Sequence, residues 1–140
     1  MASLSIEALP AQMLPLADRF YRDQGEKDRC RGHDRVWLGR IEGGPVAVAR
    51  LSPQGGVLLL RGVWVAPECR GLGVGTTLVR QVIALAGAPV WCFTQPELVA
   101  WYQSLGFQQV ETLLENQAAM LAAYRRSHPA LQALCYSPGR

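Results

Sequence analysis

Arg70-Gly71-Leu72-Gly73-Val74-Gly75-Thr76 is the stretch of the chain best equipped to hold a ligand. Glycines at alternate positions let the backbone come within hydrogen-bonding distance of a bound group, because no Cβ stands in the way. A helix starting directly behind them adds its first unpaired N–H groups, making a nest of positive potential suited to an anion, usually a phosphate. Arg70 adds a fixed charge at the lip, and Cys69 beside it is either a reactive thiol or an ordinary loop residue. Tyr102, further along in Ala100-Trp101-Tyr102-Gln103-Ser104-Leu105-Gly106-Phe107, is either a proton donor or a core aromatic.

Spacing decides which phosphate ligand is in question. After Gly71 and Gly73 the third position of a Gly-x-Gly-x-x-Gly fingerprint is Thr76, and the region about 20 residues on, where a ribose would be held, carries no acid. A Walker loop needs Gly-Lys-Ser/Thr, and the only lysine is Lys27. Both nucleotide readings fail.

The pattern Arg/Gln-x-x-Gly-x-Gly/Ala is met by Arg70, Gly73 and Gly75, behind the strand end Val63-Trp64-Val65 with Pro67 and ahead of an amphipathic helix. That string resembles the pyrophosphate loop of the GNAT N-acetyltransferases, which bind acetyl-coenzyme A; an ordinary tight strand-to-helix turn is the competing reading. The stretch from Tyr102 to Phe107 is similar to the family's Ala-x-x-Tyr-x-x-x-Gly-Phe region, with the alanine two residues before the tyrosine. The resemblance covers nearly the whole chain and is specific from Val57 to Phe107.

The resemblance implies cofactor contacts from Arg70, Gly71, Leu72, Gly73, Val74 and Gly75, with Thr76 opening the helix. Val63 and Val65 would offer backbone groups to the pantetheine arm and the thioester carbonyl, and Tyr102 would protonate the departing thiolate. Where the family often has an asparagine seven residues before that tyrosine, this chain has Gln95. Direct attack in a ternary complex is implied, which agrees with the lack of a Cys-His or Ser-His arrangement. The family's usual base is a glutamate on the long strand, but Leu58-Leu59-Leu60-Arg61 supplies none. A water chain to Glu26, Asp28, His33 or Asp34, or an amine arriving neutral, remains open.

The expected function is transfer of an acetyl group from acetyl-coenzyme A to a primary amine of a small molecule or peptide. A catalytically weak acetyl-coenzyme A sensor is the alternative. Because four arginines fall between Arg29 and Arg40, the acceptor is expected to be neutral overall or to carry a carboxylate or phosphate. A polyamine would need carboxylates to replace its lost hydration.

Composition supports one domain over residues 1–140, with 49% hydrophobic residues and room for a packed core. The net charge of +3 is too small and dispersed to argue for nucleic acid. Cys30, Cys69, Cys92 and Cys135 lie apart without histidines at metal spacing, so no metal is expected and free thiols in a reducing cytoplasm fit best. The first residues lack the basic start and apolar core of a leader, and the stretch from Val82 to Phe93 is too short and broken to span a bilayer. No membrane partner is expected, and a homodimer is left open.

The elements that must position these residues follow from periodicity. Leu4 to Leu9 reads as a strand, and Met13, Leu14, Ala17, Phe20 and Tyr21 recur at helical steps until Gly25. The polar segment from Glu26 to Arg35 reads as a solvated loop, with a substrate-facing role as the other option. Val36–Glu42 and Pro45–Leu51 read as strands joined at Gly43-Gly44, and Ser52 to Gly56 as a turn. Val57–Val65 is a long strand whose Gly62 marks a bulge, where the family's strand splays to open the cofactor cleft. Then come a helix with the stripe Leu78, Val79, Val82, Ile83 and Ala86, a strand from Val90 to Phe93, and a helix from Pro96 to Gly106. A strand from Phe107 to Glu111, a helix from Gln117 to Arg126 and a strand from Leu131 to Tyr136 complete the chain. The fold class is α/β: a GNAT-like mixed, mostly antiparallel central sheet with splayed central strands, flanked by helices.

Overall fold

The computed structural model describes residues 2–138. Alternation of apolar side chains on the second and third strands organises it. Val36, Leu38 and Val48 pack to one side with Ala17, Phe20 and Tyr21 of the first helix. Trp37, Ala47, Ala49 and Leu51 pack to the other, against Leu78, Val79, Val82 and Ile83 of the second. A strand turns successive side chains to opposite faces, so these near-continuous apolar runs bury both faces of the sheet.

The seven strands are β1 (Leu4–Leu9), β2 (Arg35–Ile41), β3 (Gly44–Gln54), β4 (Val57–Val65), β5 (Val90–Thr94), β6 (Gln108–Gln109) and β7 (Gln132–Tyr136). Their spatial order is β1-β2-β3-β4-β5-β7-β6. All neighbours are antiparallel except β4 and β5, which run parallel. The helices are α1 (Leu14–Asp23), α2 (Val74–Leu85), α3 (Val99–Ser104) and α4 (Glu115–Arg125). α4 covers a smaller cluster in which Leu121, Leu131 and Ala133 meet Trp91, Phe93 and Tyr124.

Several sequence expectations shift. The turn read over Ser52 to Gly56 shrinks to Gly55-Gly56, because β3 continues to Gln54. Pro53 is tolerated there because β2 pairs with β3 only as far as Leu51, so no ladder partner needs its missing N–H. The strand expected from Phe107 to Glu111 is only Gln108–Gln109, while Phe107 turns into the core and its N–H bonds the Tyr102 carbonyl. Pro96 opens a single 3-10 turn, and α3 proper begins at Val99. The last strand in sequence is not the last in space: it slots between β5 and β6.

The bulge expected at Gly62 is present. Gly62 has φ +64°, and the β3–β4 register shifts between Val48 and Arg50. β4 and β5 pair only at Leu59↔Trp91 and Leu60↔Cys92. Beyond Leu60 the two parallel strands part, and the site lies in that opening.

Candidate active site

The cleft beside the parting strands encloses about 720 Å³. Val63, Trp64 and Val65 of β4 form one wall, the glycine loop and the start of α2 form its end, and Leu98, Trp101 and Tyr102 form the other wall. Ala66 N–H donates to the Val46 carbonyl at 2.8 Å. By the alternation of an antiparallel ladder, Val65 and Val63 then turn their own amides and carbonyls toward the cleft edge. Arg70 Nε donates to the Val65 carbonyl at 2.9 Å, and the guanidinium lies 4.5 Å from the Trp64 ring centroid. One backbone acceptor on that edge is therefore occupied from within the chain, and a cation is fixed at the cleft.

The glycine loop leaves its backbone open to the cleft. Gly71 and Gly73 adopt φ +78° and +80°, and a Cβ built at either would meet nothing within 4 Å, so open space lies over the backbone. Gly73 is the N-cap of α2 and offers no side-chain cap, which leaves the first N–H groups of that helix without an acceptor from the cap. Gly75 is needed for a different reason: its Cβ would stand 3.3 Å from Trp101 and 3.4 Å from Val65. The first turn of α2 thus presses against both walls.

Tyr102 is 5% exposed and packs edge-on between Trp101 and Phe107, with ring centroids at 4.8 and 5.4 Å. It lines the first cleft and also a second cavity of about 360 Å³ on the far side of the parting strands. Val63 is the other residue shared by both. Burial, then the neighbouring Cys92 thiol, holds the phenol pKa well above its usual value. Burial likewise pushes the Cys92 thiol up to about 12. Both groups therefore keep their protons across the neutral range.

The second cavity is lined by Asp28, Arg61, Thr94, Gln95, Tyr124 and His128 among others. One of these, Asp28, is held by an arginine buried in β3. Arg50, 1% exposed, reaches Asp34 at 2.8 Å, Asp28 at 2.9 Å, the Arg29 carbonyl at 2.6 Å and the Tyr21 hydroxyl at 3.2 Å. A buried cation requires this degree of satisfaction. Burial alone would raise the Asp34 pKa, but hydrogen bonds from Ser52, the Arg31 N–H and Arg50, with the charge of Arg50, leave it below the usual carboxylate value. The polar segment read as a solvated loop is instead folded over Arg50.

Of the residues picked out in the sequence, Val63, Val65, Arg70, Gly71, Gly73, Val74, Gly75, Thr76 and Tyr102 come together around the first cleft. Leu72 points outward at 71% exposure, and Gln95 lies in the second cavity instead. Cys69 lines the first cleft. Among the four candidate bases Asp28 alone lines the second cavity, while Asp34 is committed to Arg50 and Ser52. The arginines between Arg29 and Arg40 do not reach this cavity: Arg35 bonds the Leu85 and Ala86 carbonyls, and Arg40 pairs with Glu7. Sequence reading missed Arg50, Trp101 and His128. For Arg50 a signal existed, a lone cation inside the apolar run Val46-Ala47-Val48-Ala49-Arg50-Leu51 with an acid-bearing segment upstream.

Among the described residues no cluster of metal-ligating side chains occurs, and no helix is long and apolar enough to cross a membrane. The model of the acetyltransferase (GNAT) family matches residues 4–107. Solved structures share the fold at low identity. Over its full length the chain superposes on N-acetylglutamate synthase from Neisseria gonorrhoeae, solved with coenzyme A and N-acetyl-glutamate, with TM-score 0.71 and 19% identity. It spans only 36% of that longer protein. Escherichia coli ElaA gives TM-score 0.65 at 21% identity, covering 98% of this chain and 100% of the other. A GNAT family acetyltransferase from Elizabethkingia anophelis with acetyl-CoA bound gives 0.64 at 14%, covering 96% and 98%. No curated protein matches the chain in sequence.

Proposed function

The chain belongs to the acetyltransferase (GNAT) family, and from that premise we propose that it moves an acetyl group from acetyl-coenzyme A to a primary amine by direct attack in a ternary complex. The observation that carries the reading is that Tyr102 lines both cavities, one ending in the glycine loop and one in polar and charged side chains. A thioester lying along the first would meet an amine entering from the second beside this phenol.

Acetyl-coenzyme A supplies an acyl group already activated as a thioester, so the protein has to bind, orient and manage protons. The amides of the loop from Arg70 to Gly75 and the start of α2 receive the pyrophosphate, with Thr76 at the helix opening. The cleft-facing backbone of Val63 and Val65 aligns the arm and offers N–H groups to the carbonyl oxygen where negative charge grows. Tyr102, still protonated at neutral pH, is placed to give its proton to the leaving sulfur. The proton lost by the amine leaves toward the second cavity, where Asp28 and His128 stand.

Calorimetry with acetyl-coenzyme A and a free-thiol assay over a panel of primary amines test the proposal together. Binding with amine-dependent thiol release is the expected result. Binding without release from any amine would make the chain a sensor of the cofactor, and absence of binding would remove the reading altogether.

A further inference from the structure

Arg61 stands at the bulge of β4 and lines the second cavity. Among the described residues its guanidinium forms no ion pair and no hydrogen bond, and its Nη1 is buried without an acceptor. A guanidinium carries five donors and cannot shed its charge, so a buried N–H left unpaired is costly. Its neighbours fix it without satisfying it. The guanidinium lies 5.4 Å from the Tyr124 ring centroid, and the Tyr124 hydroxyl is itself held by Gln54 at 3.3 Å. Other buried or cleft-side arginines are already engaged: Arg50 by its acids and Arg70 by the Val65 carbonyl.

Resting on the reading that this cavity receives the amine, we propose that Arg61 anchors a carboxylate on the acceptor, so that the substrate is a small amino acid or similar amino-carboxylate. Three features support a carboxylate over other anions. A planar guanidinium held over an aromatic ring keeps an edge of parallel N–H groups that matches a carboxylate bidentately. A phosphate dianion gathers several cations, whereas here one arginine is unengaged and Asp28 shares the cavity. About 360 Å³ sits at the small end of ligand sites. The same Asp28, with its carboxylate already oriented by Arg50, gives an incoming ammonium a partner of opposite charge. One unpaired cation and one carboxylate in a single small cavity complement a molecule bearing both charges.

The test compares L-amino acids, each beside its own α-carboxamide, as acceptors in the thiol assay, for the native protein, Arg61→Gln and Arg61→Lys. The preferred acid should exceed its amide by about tenfold or more in kcat/KM, the scale of a charge-assisted pair. In Arg61→Gln the acid should fall about tenfold or more, chiefly through KM, with the amide within about threefold. Arg61→Lys should recover part of the preference, and it also serves if Arg61→Gln lowers Tm. Acetyl-coenzyme A affinity should be unchanged in both variants. Equal use of acid and amide by the native protein, or equal losses on both in Arg61→Gln, would overturn the anchor. Thiol release from carboxylate-free amines alone would overturn it too, while leaving acetyl transfer standing. Cofactor binding with no release from any acceptor would overturn the transfer reading and the anchor with it.

Discussion

The Tyr21 hydroxyl donates to the Gly62 carbonyl at 2.5 Å across 41 residues of sequence, and accepts from Arg50 Nε at 3.2 Å. This pair ties α1 to the bulge in β4, the point where the two central strands separate. A Cβ on Gly62 would overlap the Tyr21 hydroxyl and lie 2.8 Å from Arg50 Nε, at a φ of +64° that side chains rarely adopt. Gly62→Ala should therefore lose about 2 kcal/mol or more of stability, from backbone strain and displacement of a buried network. At this chain length that lowers Tm by roughly 5 °C or more. Adding Tyr21→Phe removes the overlapping oxygen, so the double variant should lose less than the sum of the singles. Strict additivity in urea unfolding would show that the hydroxyl does not shape the bulge.

Asp34 joins the same network from the opposite side, accepting from Arg50, Ser52 and the Arg31 N–H. Its carboxyl pKa lies below the ordinary value, so the ionised form is favoured by folding. That contribution is complete above the unfolded value of about 4 and fades as pH falls through the lower folded value. Asp34→Asn leaves part of the Arg50 charge unopposed in the interior, and at pH 7 it should cost about 3–5 kcal/mol. The gap between native and variant should narrow as pH drops below about 4. Urea midpoints measured at pH 7 and pH 3 decide it, and an equal gap at both would exclude a stabilising charge on Asp34.

Why the sheet was legible and this network was not follows from the range of the signals. The hairpin strands either side of Gly43-Gly44 and the helical stripe from Leu78 to Ala86 are local signals, and both elements form. The glycines announced the loop because positive φ at Gly71 and Gly73 is a requirement of single residues. Arg50 instead gathers Tyr21, Asp28 and Asp34 from two other segments, which no periodicity encodes. The insertion of β7 between β5 and β6 is likewise a pairing of distant stretches. Gln95 and Leu72 were assigned by motif position; the fold puts one in the second cavity and the other out in solvent.

Gly73 offers a test of the phosphate nest that separates backbone strain from occupancy. Its φ of +80° would strain valine whatever the ligand does, whereas asparagine tolerates that region well. Since nothing in the protein lies within 4 Å of the added Cβ, Gly73→Asn should fold with Tm near native. If the pyrophosphate occupies that open space, the same variant should bind acetyl-coenzyme A about tenfold more weakly or worse, the loss of at least one charge-assisted bond. Native affinity in a folded Gly73→Asn protein would move the pyrophosphate elsewhere.

Tyr102 is the residue on which transfer depends in the proposed mechanism. Its hydroxyl is held in the protonated form by burial and by the Cys92 thiol beside it. A raised pKa places the stability from the neutral phenol below the unfolded value of about 10, to be lost as pH climbs through the higher folded value. Ionisation of Tyr102 should accordingly impose no decline in kcat between pH 7 and about 10. A thiolate leaving group has a pKa near 8.5, so expulsion at neutral pH is only mildly uphill, and loss of the donor should lower kcat by about one to three powers of ten. Tyr102→Phe keeps the ring that packs on Trp101 and Phe107, so Tm should hold and the acetyl-coenzyme A Kd should stay within about threefold. A phenylalanine variant with native kcat but a lowered Tm would assign the hydroxyl to packing beside Cys92, and the proton for the thiolate would then have to come from solvent in the cleft.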